Sequence, residues 1–193
     1  MTCGEGGAIL INDPALVDRA EIIREKGTNR NQFFRGQVDK YSWVDIGSSY
    51  LMSDVLAAFL YAQLEVWQEI QRRRRKIWEI YDAALRDWAG QRGWGCPTVP
   101  PHCEQSYHMY FLLLPSLERR QALIEFLRKR GILSVFHYLP LHLSPMGQRM
   151  GGKPGDCPVT ENRSDRLLRL PFYNSLTPDQ QNEVIRALHD FPA

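Results

Sequence analysis

The sequence predicts a two-part α/β protein, and three patterns carry that prediction. Residues 8–11 form an apolar run that is typical of a buried strand. Apolar residues recur at helical spacing from residue 55 to residue 88 with no Gly or Pro between them. They predict one connector helix over residues 54–90, roughly 50 Å long. Beyond residue 108, candidate strands alternate with amphipathic segments, which is typical of a small α/β layer.

The first part, residues 1–53, contains a helix and an unusually long loop. Asp13 followed by Pro14 predicts a helix start, and Gly27 is placed to end that helix. Residues 28–50 have little periodicity, and structureless loops beyond roughly 12–15 residues are usually functional. This loop interleaves three cations with four aromatic rings, namely Arg30, Arg35, Lys40, Phe33, Phe34, Tyr41 and Trp43. Cations suit phosphate oxygens and rings suit a base, although the rings could equally fix the loop to the core.

The connector carries five consecutive basic residues at 72–76. Such a run is typical of a nucleic-acid or localisation patch. Five consecutive residues point all round a helix, however, and acidic residues lie close by, which favours a solvated face. The whole chain has 24 basic and 22 acidic residues, a net charge of +2. Because a nucleic-acid or anionic-membrane binder usually has a larger excess, we predict neither partner.

Targeting and membrane segments are not predicted either. The longest stretch without Asp, Glu, Lys or Arg covers residues 131–148, and two prolines interrupt it. A basic segment followed by an apolar core is not found near Met1. We therefore expect a cytoplasmic protein.

The last part, residues 91–193, begins with a proline-rich linker and continues as a small α/β domain. Thr177 and Gln180 form a capping box that predicts the start of the final helix. The remaining predicted elements are strands at 109–114 and 132–138 and helices at 116–130 and 160–170.

A metal site is not predicted. The chain has four widely spaced cysteines, Cys3, Cys96, Cys103 and Cys157. Three of them could be imagined as zinc ligands together with His102, but their spacing lacks the paired C-x₂₋₄-C pattern of closed sites. We expect reduced, structural thiols.

Motifs for phosphate loops, dinucleotide binding, zinc proteases and serine hydrolases are missing from the sequence. His108, His137 and His142 lie near apolar strands, where a histidine can be a catalytic group or a satisfied core residue. The residues by themselves indicate a two-part α/β protein with a basic and aromatic loop.

Several segments, in order along the chain, resemble the C-terminal half of the DegT/DnrJ-type sugar aminotransferases, which use pyridoxal 5'-phosphate (PLP). They are T-C-G-E-G-G-A-I-L-I, A-E-I-I-R-E-K-G-T-N-R, D-I-G-S-S-Y-L-M-S-D, H-M-Y-F-L-L-L, F-H-Y-L-P-L-H and R-L-L-R-L-P-F-Y. The resemblance implies the C-terminal part of a fold-type I PLP transferase. Residues 1–53 would end the PLP-binding large domain, 54–90 would be the connector helix and 91–193 the small α/β domain. It also implies a homodimer that takes glutamate and a nucleotide sugar as substrates.

The resemblance also implies where the catalytic lysine lies. In the family a Thr-Lys pair directly precedes T-x-G-E-G-G, and that lysine forms the Schiff base with PLP. The lysine would then lie upstream of Met1, so we expect the isolated chain to be inactive. The five lysines of the chain are outside apolar runs that would depress their pKa: Lys26, Lys40, Lys76, Lys129 and Lys153. The alternative is a truncated, non-catalytic product that acts as a dimerisation or interaction module.

Other roles transfer from the family by position. A family segment that reaches the partner subunit's PLP phosphate corresponds to residues 47–51, where Ser49 replaces an amide and Leu51 replaces a cation. The cofactor-binding candidates that remain are Ser48, Ser49 and Tyr50. Arg30 and Arg35 become candidates for the nucleotide diphosphate, which a forked cation suits. The candidates for the sugar are His108, His137 and His142.

Overall fold

The computed structural model of the chain describes residues 1–192, which form two compact units. The first is Met1–Trp67 and the second begins at Gln68. Within the described residues, none of the helices combines the length and the apolar character that crossing a bilayer requires.

The first unit is helical. Its helices are α1 (Val17–Arg24), α2 (Arg30–Phe34) and α3 (Asp54–Glu65), and a 3₁₀ turn at Pro14–Leu16 leads into α1. The predicted start is confirmed, because the Asp13 carboxylate accepts a hydrogen bond of 2.9 Å from the Ala15 backbone N–H. The loop prediction for residues 28–50 is wrong where α2 forms. The Ser53 hydroxyl caps α3.

The strand predicted at residues 8–11 is wrong. This segment has no regular structure, and Leu10 is 90% exposed. A strand needs a neighbour to complete its hydrogen-bond ladder, and within residues 1–192 the segment pairs with none.

The prediction of one continuous helix over residues 54–90 is wrong at a single residue. The helix α3 ends at Glu65 and α4 (Trp67–Gln91) begins two residues later. Val66 has φ −117° and ψ 20°, outside the helical region. Both helices keep apolar residues at helical spacing, so periodicity does not reveal the break.

The second unit packs helices against a three-stranded antiparallel sheet of order β1-β3-β2. Its strands are β1 (Phe111–Leu113), β2 (Val135–Phe136) and β3 (Leu167–Arg169). Besides α4, its helices are α5 (Leu117–Arg128), α6 (Pro145–Arg149), α7 (Pro158–Arg166) and α8 (Pro178–His189), with a 3₁₀ turn at Leu141–Leu143. The predicted strands at 109–114 and 132–138 are confirmed in shorter form, and α5 is confirmed.

The predicted helix over residues 160–170 is wrong in its second half. The helix α7 ends at Arg166, and the next three residues form the central strand. Arg169 lies opposite Phe111 on one side and Val135 on the other. Leu168 and Leu170 are buried on either side of Arg169 in sequence, which is the period of a strand.

Large apolar side chains from the helices and the sheet form the core of this unit. The residues with no exposed surface include Tyr81, Leu85, Tyr110, Leu112, Leu123, Leu127, Leu168 and Leu188. The apolar face of α4 was therefore predicted correctly, and the sheet supplies the surface on which it packs.

The capping box at the start of α8 is confirmed. The Gln180 backbone N–H donates to the Thr177 hydroxyl at 3.3 Å, and the Thr177 N–H donates to the Gln180 side chain at 3.0 Å. We expect Thr177→Ala to lower the free energy of unfolding by about 1 kcal/mol, because one N-terminal donor of the helix loses its acceptor. Urea denaturation followed by tryptophan fluorescence measures this. The matched control Ser175→Ala, at an exposed residue, should change little; equal losses would contradict the capping role.

Candidate functional site

The segment that carries the cofactor candidates folds back against the end of α1. The Ser48 N–H donates to the Ile23 carbonyl at 2.9 Å, and the Tyr50 N–H donates to the Arg24 carbonyl at 3.0 Å. In return, the Lys26 N–H donates to the Ser48 carbonyl at 3.0 Å. The backbone of Ser48, Ser49 and Tyr50 is therefore fixed, while their side chains are exposed.

Two glycines permit this close approach. Gly27 has φ +76°, and a Cβ atom there would lie 1.7 Å from the Asp45 carbonyl oxygen. A Cβ atom on Gly47 would lie 2.2 Å from the Gly27 backbone nitrogen. Neither position has space for a side chain. The helix α1 ends at Arg24, three residues before the predicted Gly27, and Gly27 instead forms the turn on which the candidate segment packs.

Arg30 pairs with Glu25, a residue that the sequence analysis did not single out. Glu25 is 6% exposed, and its carboxylate accepts from Arg30 Nη1 at 3.1 Å. The Arg30 guanidinium also lies 5.2 Å from the Phe34 ring centre and 5.9 Å from the Tyr41 ring centre. These aromatic residues of the loop therefore contact Arg30. The sequence signal for this pair was the position of Glu25 at a predicted helix end, five residues before Arg30.

Arg35 pairs with Glu21, which lies in α1 one helical turn before Glu25. The hydrogen bond with Glu21, and then its charge, raise the pKa of Arg35. The two arginines and the Ser48–Tyr50 backbone thus all contact the last two turns of α1 and the residue that follows it. The structure brings the five candidates of the first unit together along this helix.

Two of the three histidine candidates flank outer strands of the sheet in the second unit. His137 follows β2 directly, and His108 stands three residues before β1. Burial first, and then the charges of Arg169 and His108, lower the pKa of His137. The His108 ring nitrogen Nδ1 lies 2.9 Å from the Ser106 hydroxyl. The sequence did not predict that Arg169 lies near His137. The available signal was the alternation Leu-Arg-Leu at residues 168–170, which is typical of a strand with one polar face.

His142 has a different environment. Its Nε2 lies 2.9 Å from a carboxylate oxygen of Glu161 on α7, and its side chain is 16% exposed. The hydrogen bond with His142, and then the Gly155 N–H, lower the pKa of Glu161. The Cys157 N–H donates to the same carboxylate at 3.3 Å. His142 therefore links the 3₁₀ turn to α7.

The basic run on α4 is largely neutralised within the helix. Arg72 and Arg73 pair with Glu69, and Arg75 pairs with Glu79. Arg74 donates instead to the backbone carbonyls of Tyr107 and His108. These contacts favour the solvated helix face over a polyanion patch.

PLP requires hydrogen-bond donors for its phosphate and an amine for its aldehyde. Exposed hydroxyls on a fixed backbone at Ser48 and Ser49 suit its phosphate, which accepts hydrogen bonds. The five lysines are all exposed, so the chain offers no desolvated amine for the aldehyde. The residues present fit the phosphate end of the cofactor. Among residues 1–192, no three His, Cys, Asp or Glu side chains form a metal-binding group.

Comparison with known proteins places this fold among sugar aminotransferases. The chain is 30% identical to the uncharacterized protein MJ1066 of Methanocaldococcus jannaschii, covering 97% of this chain and 50% of that protein. It is 29% identical to the dTDP-3-amino-3,4,6-trideoxy-alpha-D-glucose transaminase of Streptomyces venezuelae, covering 97% and 46%. The chain spans about half the length of the curated relatives it matches.

A solved structure gives the same result. The aminotransferase TlmJ from Streptoalloteichus hindustanus superposes with a TM-score of 0.76 at 28% identity, covering 92% of this chain and 45% of that one. The predicted α/β fold, part of a fold-type I transferase, is confirmed. The model of the DegT/DnrJ/EryC1/StrS aminotransferase family matches residues 1–189, and the chain therefore belongs to that family.

Proposed function

We propose that this chain is the C-terminal half of a PLP-dependent aminotransferase that acts on dTDP-4-keto-6-deoxyglucose. The amino group comes from glutamate, and the product is dTDP-4-amino-4,6-dideoxygalactose, for enterobacterial common antigen or a related surface polysaccharide such as lipopolysaccharide. The observation that carries the proposal is the family match over residues 1–189. The order of the motifs F-H-Y-L-P-L-H and R-L-L-R-L-P-F-Y supports the choice of substrate.

In this proposal the first unit holds the phosphate of PLP. When bound, PLP supplies an electron sink for the carbon that loses its proton. Ser48, Ser49 and Tyr50 donate from their hydroxyls, and their pairing with α1 keeps the donors in place. We expect the lysine that binds PLP to lie outside this chain, because the five lysines of the chain are all exposed.

Each unit has its own candidates for binding the substrate. Arg30 and Arg35 bind the diphosphate, and Glu25 and Glu21 orient their guanidinium groups. His108, His137 and His142 contact the sugar. Trp43, Ile46 and Val55 are exposed apolar residues of the first unit, which supports a homodimer contact there. The dimer acts in the cytoplasm.

In the test, the gene for this chain is expressed together with the adjoining upstream coding sequence, and the resulting longer protein is assayed. Glutamate and dTDP-4-keto-6-deoxyglucose are supplied, and 2-oxoglutarate and the amino sugar are measured by mass spectrometry. The corresponding 3-keto sugar and a GDP-linked 4-keto sugar serve as controls. Turnover of a control sugar alone would overturn the substrate. Failure with all three would favour the non-catalytic interaction module.

In that complete protein, Ser49 and Arg30 should affect different parameters. Ser49→Ala is expected to weaken PLP retention roughly 10- to 150-fold, because one charge-assisted hydrogen bond of about 1.5–3 kcal/mol is lost. Arg30→Ala is expected to raise the KM for the nucleotide sugar with little change in kcat, as uniform binding requires. The measurements are PLP dissociation and the KM values for both substrates.

The Arg30 result needs a control, because Arg30→Ala also leaves the buried Glu25 carboxylate without its cation. The double variant Arg30→Ala/Glu25→Gln removes that charge. If it restores the KM, Arg30 acts by ordering the loop and the diphosphate role is wrong. Parallel losses in all parameters for Ser49→Ala, with a lower Tm, would reject the phosphate role.

A further inference from the structure

Arg74 differs from the other three arginines of the basic run on α4. Arg72, Arg73 and Arg75 are exposed and pair with acidic residues one turn away on the same helix. Arg74 is half-buried, and burial lowers the pKa of its guanidinium. Within residues 1–192, no carboxylate forms an ion pair with it. A cation that is withdrawn from water in this way needs other acceptors.

The acceptors of Arg74 lie at one end of the sheet. Its Nε donates to the Tyr107 carbonyl at 2.9 Å, and its Nη2 donates to the His108 carbonyl at 2.5 Å. Nη1 lies 3.5 Å from the Asn174 side-chain oxygen, and the guanidinium lies 4.7 Å from the Phe172 ring centre. The first two of these residues precede β1, and the last two follow β3. Because the two strands are antiparallel neighbours, Arg74 joins the segment that enters the sheet to the segment that leaves it.

The backbone that Arg74 holds is strained. Tyr107 has φ +50°, in the left-handed region that residues other than glycine rarely adopt. Such a conformation persists only where the surrounding contacts fix it, and it is commonest at functional sites. The Tyr107 ring packs edge-on against the Trp78 ring, with the ring centres 5.9 Å apart. The side chain is therefore fixed by packing, and the backbone is fixed by the two hydrogen bonds from Arg74.

The strained residue sets the direction of the His108 side chain. His108 is exposed, and its Nδ1 lies 2.9 Å from the Ser106 hydroxyl. Since these two residues flank Tyr107, its left-handed φ determines how their side chains meet. The contact occupies Nδ1, and no other group among residues 1–192 bonds the ring, so Nε2 is available to a ligand.

We propose that Arg74 is a positioning residue that holds His108 in the orientation in which Nε2 meets the sugar. Arg74 acts through the carbonyls of Tyr107 and His108 and does not itself contact the ligand. A guanidinium suits this role because it presents several donors in a fixed fork, whereas a lysine ammonium acts as a single point. The sugar contact rests on the function proposed above, but the effect of Arg74 on His108 does not.

The first test measures the order of the His108 ring by NMR relaxation in the 193-residue chain, with ¹³C at the histidine Cε1 positions. The variant His108→Gln identifies its signal among those of the five histidines. In Arg74→Gln we expect the order parameter to fall from about 0.8 to below about 0.6. Arg73→Gln removes the same charge from an exposed neighbour that pairs only within α4, and it should leave the value unchanged.

The second test is a double-mutant cycle on the KM for the nucleotide sugar, in the longer protein that contains this chain. Arg74→Gln and His108→Gln should each raise the KM roughly tenfold with little change in kcat, because a binding contact is lost. If Arg74 acts through His108, the double variant should be no worse than either single variant. A purely structural role would instead add its loss to that of His108→Gln and lower kcat as well.

Arg74→Lys covers the case in which Arg74→Gln does not fold. Lysine keeps the charge and the packing of the stem but cannot bond the two carbonyls in the same geometry, so the same loss of ring order is expected. An unchanged order parameter for His108, or additive losses in KM, would overturn the positioning role. If the longer protein turns over no sugar, the proposed function fails, and the relaxation measurement still decides whether Arg74 positions His108.

Discussion

Incubated with PLP and then reduced with borohydride, the 193-residue chain is expected to carry no stoichiometric label on any single lysine. A lysine that forms a stable imine needs a depressed pKa, which burial or a cationic neighbour provides. All five lysines are exposed to water. Peptide mapping by mass spectrometry measures the label at each position. Scattered, substoichiometric labelling of surface lysines is compatible with this expectation.

Lys26 is the sharpest test of that expectation. Its backbone pairs with Ser48, so it lies beside the candidate phosphate site, and its φ of 61° is unusual for a residue other than glycine. Full labelling of Lys26 that disappears in Lys26→Arg would contradict the prediction. A complete aminotransferase of the same family, treated identically, is the positive control.

The elements predicted correctly are those that local chemistry determines. Asp13 and Thr177 cap their helices through side chains two or three residues away from the groups they bind. The apolar face of α4 follows from spacing within the helix itself. Each of these signals involves only residues that are close together in the sequence, so the sequence alone reveals it.

The elements that were missed depend on distant partners. The strand β3 continues directly from a helix, and only its pairing with β1 and β2 distinguishes it from another turn of α7. The apolar run at residues 8–11 has strand composition but no neighbouring strand among the described residues. Val66 interrupts the helix without a Gly or Pro. Composition and period alone do not decide any of these three elements, because each depends on whether another segment packs or pairs beside it.

The candidate site residues show the same difference between what the sequence predicts and what only the fold reveals. Motifs identified Ser48, Ser49 and Tyr50, but the contact that fixes them depends on Gly27 and Gly47 approaching each other. The partners Glu25 and Glu161 lie five and nineteen residues from Arg30 and His142. Arg169 is brought beside His137 by strand pairing. Residue types could be predicted locally, whereas their neighbours required the fold.

Leu168→Ala should lower the free energy of unfolding of the second unit by about 2–5 kcal/mol. Leu168 has no exposed surface and lies in the central strand, paired with Leu112 of β1 and Phe136 of β2. Truncation removes buried apolar area and leaves a cavity between the sheet and the helices, which a strand paired on both sides cannot easily close. Urea denaturation monitored by tryptophan fluorescence gives the change in midpoint and slope.

Leu139→Ala is the matched control, because it removes the same atoms from a side chain that is 71% exposed. Its loss should stay within about 0.5 kcal/mol, as is usual for surface positions. Similar losses in both variants would mean that residues 167–169 do not form the central strand of a packed sheet. The same experiment bears on Arg169, because its position opposite Phe111 and Val135 depends on that strand. A large loss in Leu168→Ala alone would support the register of β3, and with it the position of Arg169 between β1 and β2.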